Sequence, residues 1–261
     1  MTGASRGIGR EIAGILAERG HEVVLAARDE GALTAEAASL AERHGVPAHA
    51  VAVDLTERDA AERLRRRVAD LGLSPGILVN NAGIASWGPF VETPAEKALA
   101  MIRLNVEALA HLTRLFLPAM IERKRGRILN LGSTAAFPPG PLLAVYYASK
   151  AFVVHFSESL DEELRGTGVT ATAFCPGPVR TGFQERAGMG RGGWIRLARP
   201  AAPEDAARRA VEAMDRGKRL VVSGGVNRLS VTATRFLPRR WTACLVHRIQ
   251  KSRNDDAPPG G

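Results

Sequence analysis

Short apolar runs alternate with stretches of helical periodicity along most of the 261-residue chain. Runs rich in Val, Ile, Leu and Ala at 22–27, 48–53, 77–80, 127–132, 169–174 and 219–224 predict β-strands. Between them the spacing predicts helices over about 7–19, 30–44, 57–71, 95–123, 146–165 and 204–216. Strand and helix in steady alternation make an α/β fold, a doubly wound parallel sheet with helices on both faces. Residues 181–203 hold glycines without periodicity and read as a long loop of the kind that serves as a lid or binding loop. Beyond it, Val226, Leu229, Ala233, Phe236 and Leu237 keep helical spacing, Pro238 interrupts, and Trp241, Leu245 and Ile249 begin a second amphipathic stretch. The expected organisation is one domain over 1–225, a basic amphipathic extension over 226–253 and a disordered tail over 254–261.

Charge sharpens the picture of that extension. The formal net charge is +9, yet residues 218–261 carry nine Lys/Arg against two Asp/Glu, leaving 27 against 25 for everything before them. A nearly neutral body argues against nucleic acid as a partner. The basic extension can lie on an anionic membrane surface, cover a substrate pocket or form a subunit contact. Cys175 and Cys244 make neither a disulfide framework nor a metal cluster, and the six histidines show no paired ligand spacing. No metal is expected, and the setting expected is cytoplasmic, with residues 226–251 available for peripheral contact at the inner membrane face. No run approaches the ~18 apolar residues of a membrane span, and the first residues lack the pattern of a signal peptide.

The candidate chemistry begins at TGASRGIG, residues 2–9. Gly3 permits a tight turn, Gly7 lets a pyrophosphate approach the backbone, and Gly9 lets the following helix pack close to the sheet. A glycine-rich turn at a helix start is also found as a plain cap, so the remaining motifs matter. NNAG (80–83) ends the third strand, and Asn105 lies in the long helix after it. Ser133 closes RILNLGS, Tyr146 stands in YYASK four residues before Lys150, and PGPVRT (176–181) follows the fifth strand. Lys150 is one helical turn from Tyr146 on the same face, where its charge favours the phenolate of a group whose ordinary pKa is about 10.

These motifs in this order resemble the short-chain dehydrogenase/reductase superfamily over about residues 2 to 225. The resemblance implies a Rossmann-like sheet. It also implies a strand in front of the glycine turn, lying between the strands at 22–27 and 77–80. The first strand is therefore expected to be missing and the sequence to be cut short at its front. The resemblance further implies an oxidoreductase that interconverts a carbonyl and an alcohol. Tyr146 would be acid and base, Ser133 the partner of the substrate oxygen, Asn105 the holder of a relay water, and Lys150 both relay and ribose ligand. It assigns cofactor contacts to Gly3, Ser5, Arg6, Gly7, Ile8 and Gly9 in the turn, to Asp54 and Leu55 at the adenine, and to Asn81, Ala82 and Gly83. At the nicotinamide it assigns Tyr146, Lys150, Pro176, Gly177, Val179 and Thr181.

NADP(H) is expected over NAD(H), because Arg28 follows the first predicted strand, where a carboxylate would favour NAD, and Arg6 stands within the turn. Asp29 is read as a helix cap. Tyr147 is assigned to the pocket wall and Cys175 to packing. Phe137, Leu142, Leu143, Trp87, Phe183, Met189 and Trp194 make the expected pocket apolar, with Arg191 and Arg196 in the loop. A hydrophobic ketone, aldehyde or lipid-like substrate follows. A homodimer or homotetramer is expected. The competing readings are a non-catalytic nucleotide-sensing or scaffold protein, and a membrane or nucleic-acid binder acting through the tail.

Overall fold

The structure, a computed structural model, describes residues 1–189 and 200–252. Arg191, Trp194, Arg196 and the tail at 254–261 lie outside the described residues.

Strands β1 (Val23–Ala27), β2 (Ala48–Ala52), β3 (Ile77–Asn80), β4 (Gly126–Leu131), β5 (Val169–Cys175) and β6 (Leu220–Val222) fall within a residue or two of their predicted spans. All pairings are parallel, in two pieces: β1 with β2, and β3-β4-β5-β6. Met1 and Thr2 stand in the seam between them, where the sequence reading expects a strand. Met1 N donates to Val24 O at 2.6 Å, Ala26 N to Met1 O at 2.9 Å and Thr2 N to Val79 O at 2.9 Å. The seam is thus bridged at the end of the sheet that carries the glycine turn.

Period-2 alternation sends neighbouring strand residues to opposite layers. Leu25, Val79, Leu129 and Phe174 pack against Ile12 of α1 (Gly7–Glu18), Leu33 and Leu40 of α2 (Glu30–His44), and Met214. Ala26, Leu78, Ile128 and Ala171 face Leu64 of α3 (Ala60–Asp70), then Leu112, Phe116 and Leu160. Helices therefore cover both faces. Asp29 caps α2 by accepting from Ala32 N at 3.0 Å, and Gly45 ends that helix in the left-handed conformation.

The helix expected over 95–123 is not continuous. It divides into α4 (Ala95–Ile102), a π turn (Arg103–Glu107) and α5 (Ala108–Glu122). The cause is Asn105, which is buried in the π turn with both ends of its amide engaged. Its Nδ2 donates to Ile84 O at 2.9 Å and its Oδ1 accepts from Ile84 N at 3.0 Å. Such turns concentrate at functional sites.

The chain continues through α6 (Ala144–Glu163), the short α7 (Phe183–Arg186) and α8 (Pro203–Asp215). The extension forms α9 (Gly225–Thr234) and α10 (Arg239–Lys251), divided at Pro238 as its sequence implies.

Candidate active site

The carboxyl ends of the strands open onto a cavity of about 1530 Å³. Pockets for a single small ligand run to about 1,000 Å³, so this one has room for two molecules side by side.

At one end lies the glycine turn. Gly3 and Gly7 have φ of +65° and +57°, the left-handed region, so each position requires glycine. A side chain at Gly3 would lie 2.7 Å from Asn81 Nδ2. Asn81 Nδ2 donates to Gly3 O at 2.9 Å and to Thr2 O at 3.1 Å, while Thr2 Oγ1 accepts from the backbone N–H groups of Asn81 and Ala82. The NNAG segment therefore holds the turn in shape. Asn81, expected as a cofactor contact, lines the cavity but spends its amide on the turn.

Gly9 departs from its expected role. It is buried behind the turn and does not line the cavity. A Cβ there would lie 2.3 Å from Gly3 O and 2.4 Å from Asn81 Nδ2, so the close approach is of α1 to the turn itself rather than to the sheet.

Around the turn stand Ser5, Arg6, Gly7 and Ile8, with Arg28, Asp54 and Leu55 across the cavity. Arg28 is 70% exposed, with Asp54 Oδ2 4.0 Å away, and Arg6 lies 3.8 Å from Asp29. Asp54 accepts from Thr56 N and Oγ1 at 2.9 and 2.8 Å, which fixes the loop after β2. Burial and the nearby Arg6 guanidinium hold Arg186 below its ordinary pKa. Left-handed glycines at a helix N-terminus, with cations crowded beside them, suit a group bearing phosphates. The donor set thus fits a dinucleotide.

At the other end Tyr146 and Lys150 project from α6, whose entry is fixed by Leu142 at φ +67°, a strained conformation for a side-chain-bearing residue. The Ser133 hydroxyl stands close enough to the Tyr146 phenol to draw its pKa down, and its Oγ accepts from Ala135 N at 3.1 Å. Lys150 Nζ donates to Leu131 O at 2.6 Å and lies 6.0 Å from the Tyr146 ring centre. Gly83 closes the group: a Cβ there would sit 3.3 Å from Asn105 Oδ1 and 3.6 Å from Lys150 Nζ. Ser133, Tyr146 and Lys150 line the cavity, whereas Asn105 sits just behind it.

The electrostatics differ from the simple expectation. Desolvation pushes the Tyr146 phenol up to about 12, against the opposing pull of the Ser133 hydroxyl. Burial likewise brings the Lys150 ammonium down to about 8. Desolvation is the largest influence on both groups, and it favours the neutral phenol. Cys175 is also pushed up to about 12 by burial, consistent with a packing role.

Pro176, Gly177, Val179 and Thr181 line the wall between the two ends. Thr134 N donates to Pro176 O at 3.0 Å, and the Thr181 methyl faces Gly7. Of the expected apolar inventory, Leu143, Phe183 and Met189 line the cavity and Trp87 packs behind them. Phe137 and Leu142 do not reach it.

Several residues escaped the motif reading. Asn227 of α9 occupies the space that a side chain at Gly177 would need, 2.4 Å from that Cβ position. Gln250 of α10 is buried and donates to the Tyr147 hydroxyl at 2.7 Å. With Val231, Val246 and Ile249 also lining the cavity, α9 and α10 form its outer wall. Ser149 Oγ accepts from Asn105 at 3.0 Å, a link legible as the serine of YYASK one turn from Tyr146. A buried chain from Thr113 through Asn80 and Asn130 to Ser157 ties β3 and β4 to the helices. Only the burial of its members, invisible in sequence, marks it out.

The sequence model of the family described as short chain dehydrogenase matches residues 1–191. A very-long-chain 3-oxoacyl-CoA reductase of Anas platyrhynchos is 40% identical over 186 residues, 69% of this chain and 59% of its own length. The corresponding protein of Laccaria bicolor is 39% identical over 172 residues, 65% of this chain and 51% of its own. The chain thus spans between about half and three fifths of the length of these curated relatives. Among solved structures, a short-chain dehydrogenase from Sphingobium yanoikuyae in complex with NADPH has a TM-score of 0.80 at 31% identity, covering 100% of this chain and 96% of that one. With a matched family model over well more than half its length and a parallel Rossmann-like sheet that carries the glycine turn and the Tyr146–Lys150 pair, the chain belongs to the short-chain dehydrogenase/reductase family.

Proposed function

We propose that the protein reduces a ketone carried on a hydrophobic, lipid-like substrate, using NADPH. The observation that carries this reading is that Tyr146, Ser133 and Lys150 together line the inner end of a cavity with an apolar outer wall, Lys150 Nζ lying 6.0 Å from the Tyr146 ring centre. The bound nicotinamide would supply the hydride. Tyr146, whose pKa lies far above neutrality, is the proton donor to the carbonyl oxygen as negative charge develops there. The Ser133 hydroxyl orients the same oxygen and stabilises that charge. Asn105, clamped by Ile84 and Ser149, keeps the π turn in place behind Lys150. Lys150 would hold the ribose and return a proton towards the phenol.

The relatives named as 3-oxoacyl-CoA reductases support a ketone on a long acyl chain as the substrate class. Arg28 and Arg6 support NADPH over NADH, since Asp29 is committed as a helix cap. Arg28→Ala is expected to weaken NADPH binding at least ~10-fold through a lost charge-assisted contact, with NADH affected far less. Equal losses for the two cofactors, measured by nicotinamide fluorescence titration, would remove the argument for NADPH. Exposed apolar residues around α4 and α6, namely Phe90, Val91, Leu99, Ile102 and Phe152, support a second copy of the chain as partner.

The Lys150 pKa of about 8 sets the expected pH profile. The ammonium is present below that value and lost above it, so the reduction rate is level below about pH 8 and falls beyond it. In Lys150→Arg the guanidinium stays charged, and the residual rate loses this break. A wild-type profile that rises through the same range would assign the lysine a different role.

A further inference from the structure

We propose that α9, α10 and the corner between them form a docking surface for anionic lipid, so that the outer wall of the substrate cavity rests on a bilayer. The inward side of this pair is accounted for: Val231, Thr242, Val246 and Gln250 line the cavity. The outward side is not. Leu229, Phe236 and Trp241 are 72%, 82% and 67% exposed and do not line the cavity, an unusual cost for side chains of this size. They sit at helical spacing or at the Pro238 corner, as a crest on two short amphipathic helices.

Charge selects the occupant. From residue 226 to 251 there is no Asp or Glu, while Arg228, Arg235, Arg239, Arg240, Arg248 and Lys251 are all exposed. A second copy seated symmetrically on this crest would set these cations against their own equivalents, which is repulsive. The apolar patch around α4 and α6 is different: Glu92, Glu96 and Glu107 stand among Lys97 and Arg103 there, a mixture that a second copy can complement. Nucleic acid would answer the positive charge but not the exposed Leu229 and Phe236. A surface offering both negative headgroups and an acyl region answers both. Among the described residues no helix is long and apolar enough to cross a membrane, so the contact proposed is peripheral.

The consequence for catalysis rests on the reading of a hydrophobic substrate. A substrate leaving the bilayer would meet the outer wall first and pass between α9, α10 and the body without crossing water. Docking itself can be measured without any turnover, so the two readings fail separately.

The experiment is co-sedimentation of the full chain with vesicles of phosphatidylcholine alone and of phosphatidylcholine mixed with phosphatidylglycerol. Binding is expected only to the mixed vesicles and is expected to weaken with salt. Arg235→Gln/Arg239→Gln/Arg240→Gln should bind about 100-fold less well, from about 1 kcal/mol for each basic residue near the surface. Phe236→Ser/Trp241→Ser should also lose most of its binding. None of these five side chains lines the cavity, so both variants should keep wild-type NADPH affinity, which also reports that they are folded. Failure of the wild type to sediment with anionic vesicles overturns the proposal. So does vesicle binding that both variants retain. Loss of self-association in Phe236→Ser/Trp241→Ser without vesicle binding would reassign the crest to a second copy. Retention of a polyuridine homopolymer without vesicle binding would reassign it to nucleic acid.

Discussion

Tyr146→Phe is expected to lower the reduction rate by ~10³-fold or more, within the range for removal of a positioned general acid, while leaving NADPH affinity within a factor of about two. The phenolic hydroxyl is the only part of the side chain lost. The ring keeps its contacts with Tyr147 and Phe183, whose centres lie 6.2 and 5.6 Å away, so the cavity keeps its shape. Its hydroxyl lies beside Ser133 and is held protonated by desolvation, the condition a proton donor needs. Binding and chemistry should therefore separate cleanly. Steady-state rates on a hydrophobic ketone, paired with fluorescence titration of NADPH, give both quantities. A rate near that of the wild type would mean that the proton comes from another group.

The second large effect is at the other end of the cavity. Gly9→Ala should weaken NADPH at least ~100-fold and cost on the order of 1 to 3 kcal/mol of stability, as overpacking does in a rigid site. The added methyl would lie 2.3 Å from Gly3 O, a backbone atom, and 2.4 Å from the Asn81 amide that holds the turn. Neither can move without opening the Asn81 bonds to Thr2 and Gly3. Gly14→Ala on the same helix is the control, since a Cβ there meets nothing within 4 Å. Better helix propensity should make that variant more stable by about 0.5 to 1 kcal/mol. Thermal unfolding and NADPH titration of the pair distinguish a local clash from a general intolerance of α1. Equal behaviour of the two would show that the turn adapts.

Much of this architecture is legible in the order of residues because strands apolar on both faces and amphipathic helices carry different periods. Asp29 and Pro238 mark helix boundaries through local chemistry that a sequence displays directly. The motif positions Ser133, Tyr146 and Lys150 likewise meet at one end of one cavity. What escaped depends on tertiary contact. The π turn follows from Asn105 gripping the backbone of Ile84, residues far apart in the chain, and no periodicity announces it. Gly9 meets the turn rather than the sheet because α1 begins directly beneath Gly3. Helical spacing likewise reports that Tyr146 and Lys150 share a face, whereas the desolvation that dominates both pKa values follows from tertiary burial. The extension had three readings from its sequence. Its inner side now lines the cavity through Val231, Val246 and Gln250, a pairing with Tyr147 that joins residues 103 positions apart.

The central claim is hydride transfer to a ketone with proton donation by Tyr146. It is tested most directly by incubating the protein with NADPH deuterated at the nicotinamide C4 and a panel of hydrophobic ketones that includes a long-chain 3-oxoacyl thioester, then locating the label by mass spectrometry. The account predicts deuterium on the carbinol carbon of the product with the wild-type protein and essentially none with Tyr146→Phe over the same time. NADPH binding without label transfer to any ketone in the panel, or transfer that persists undiminished in Tyr146→Phe, would contradict it.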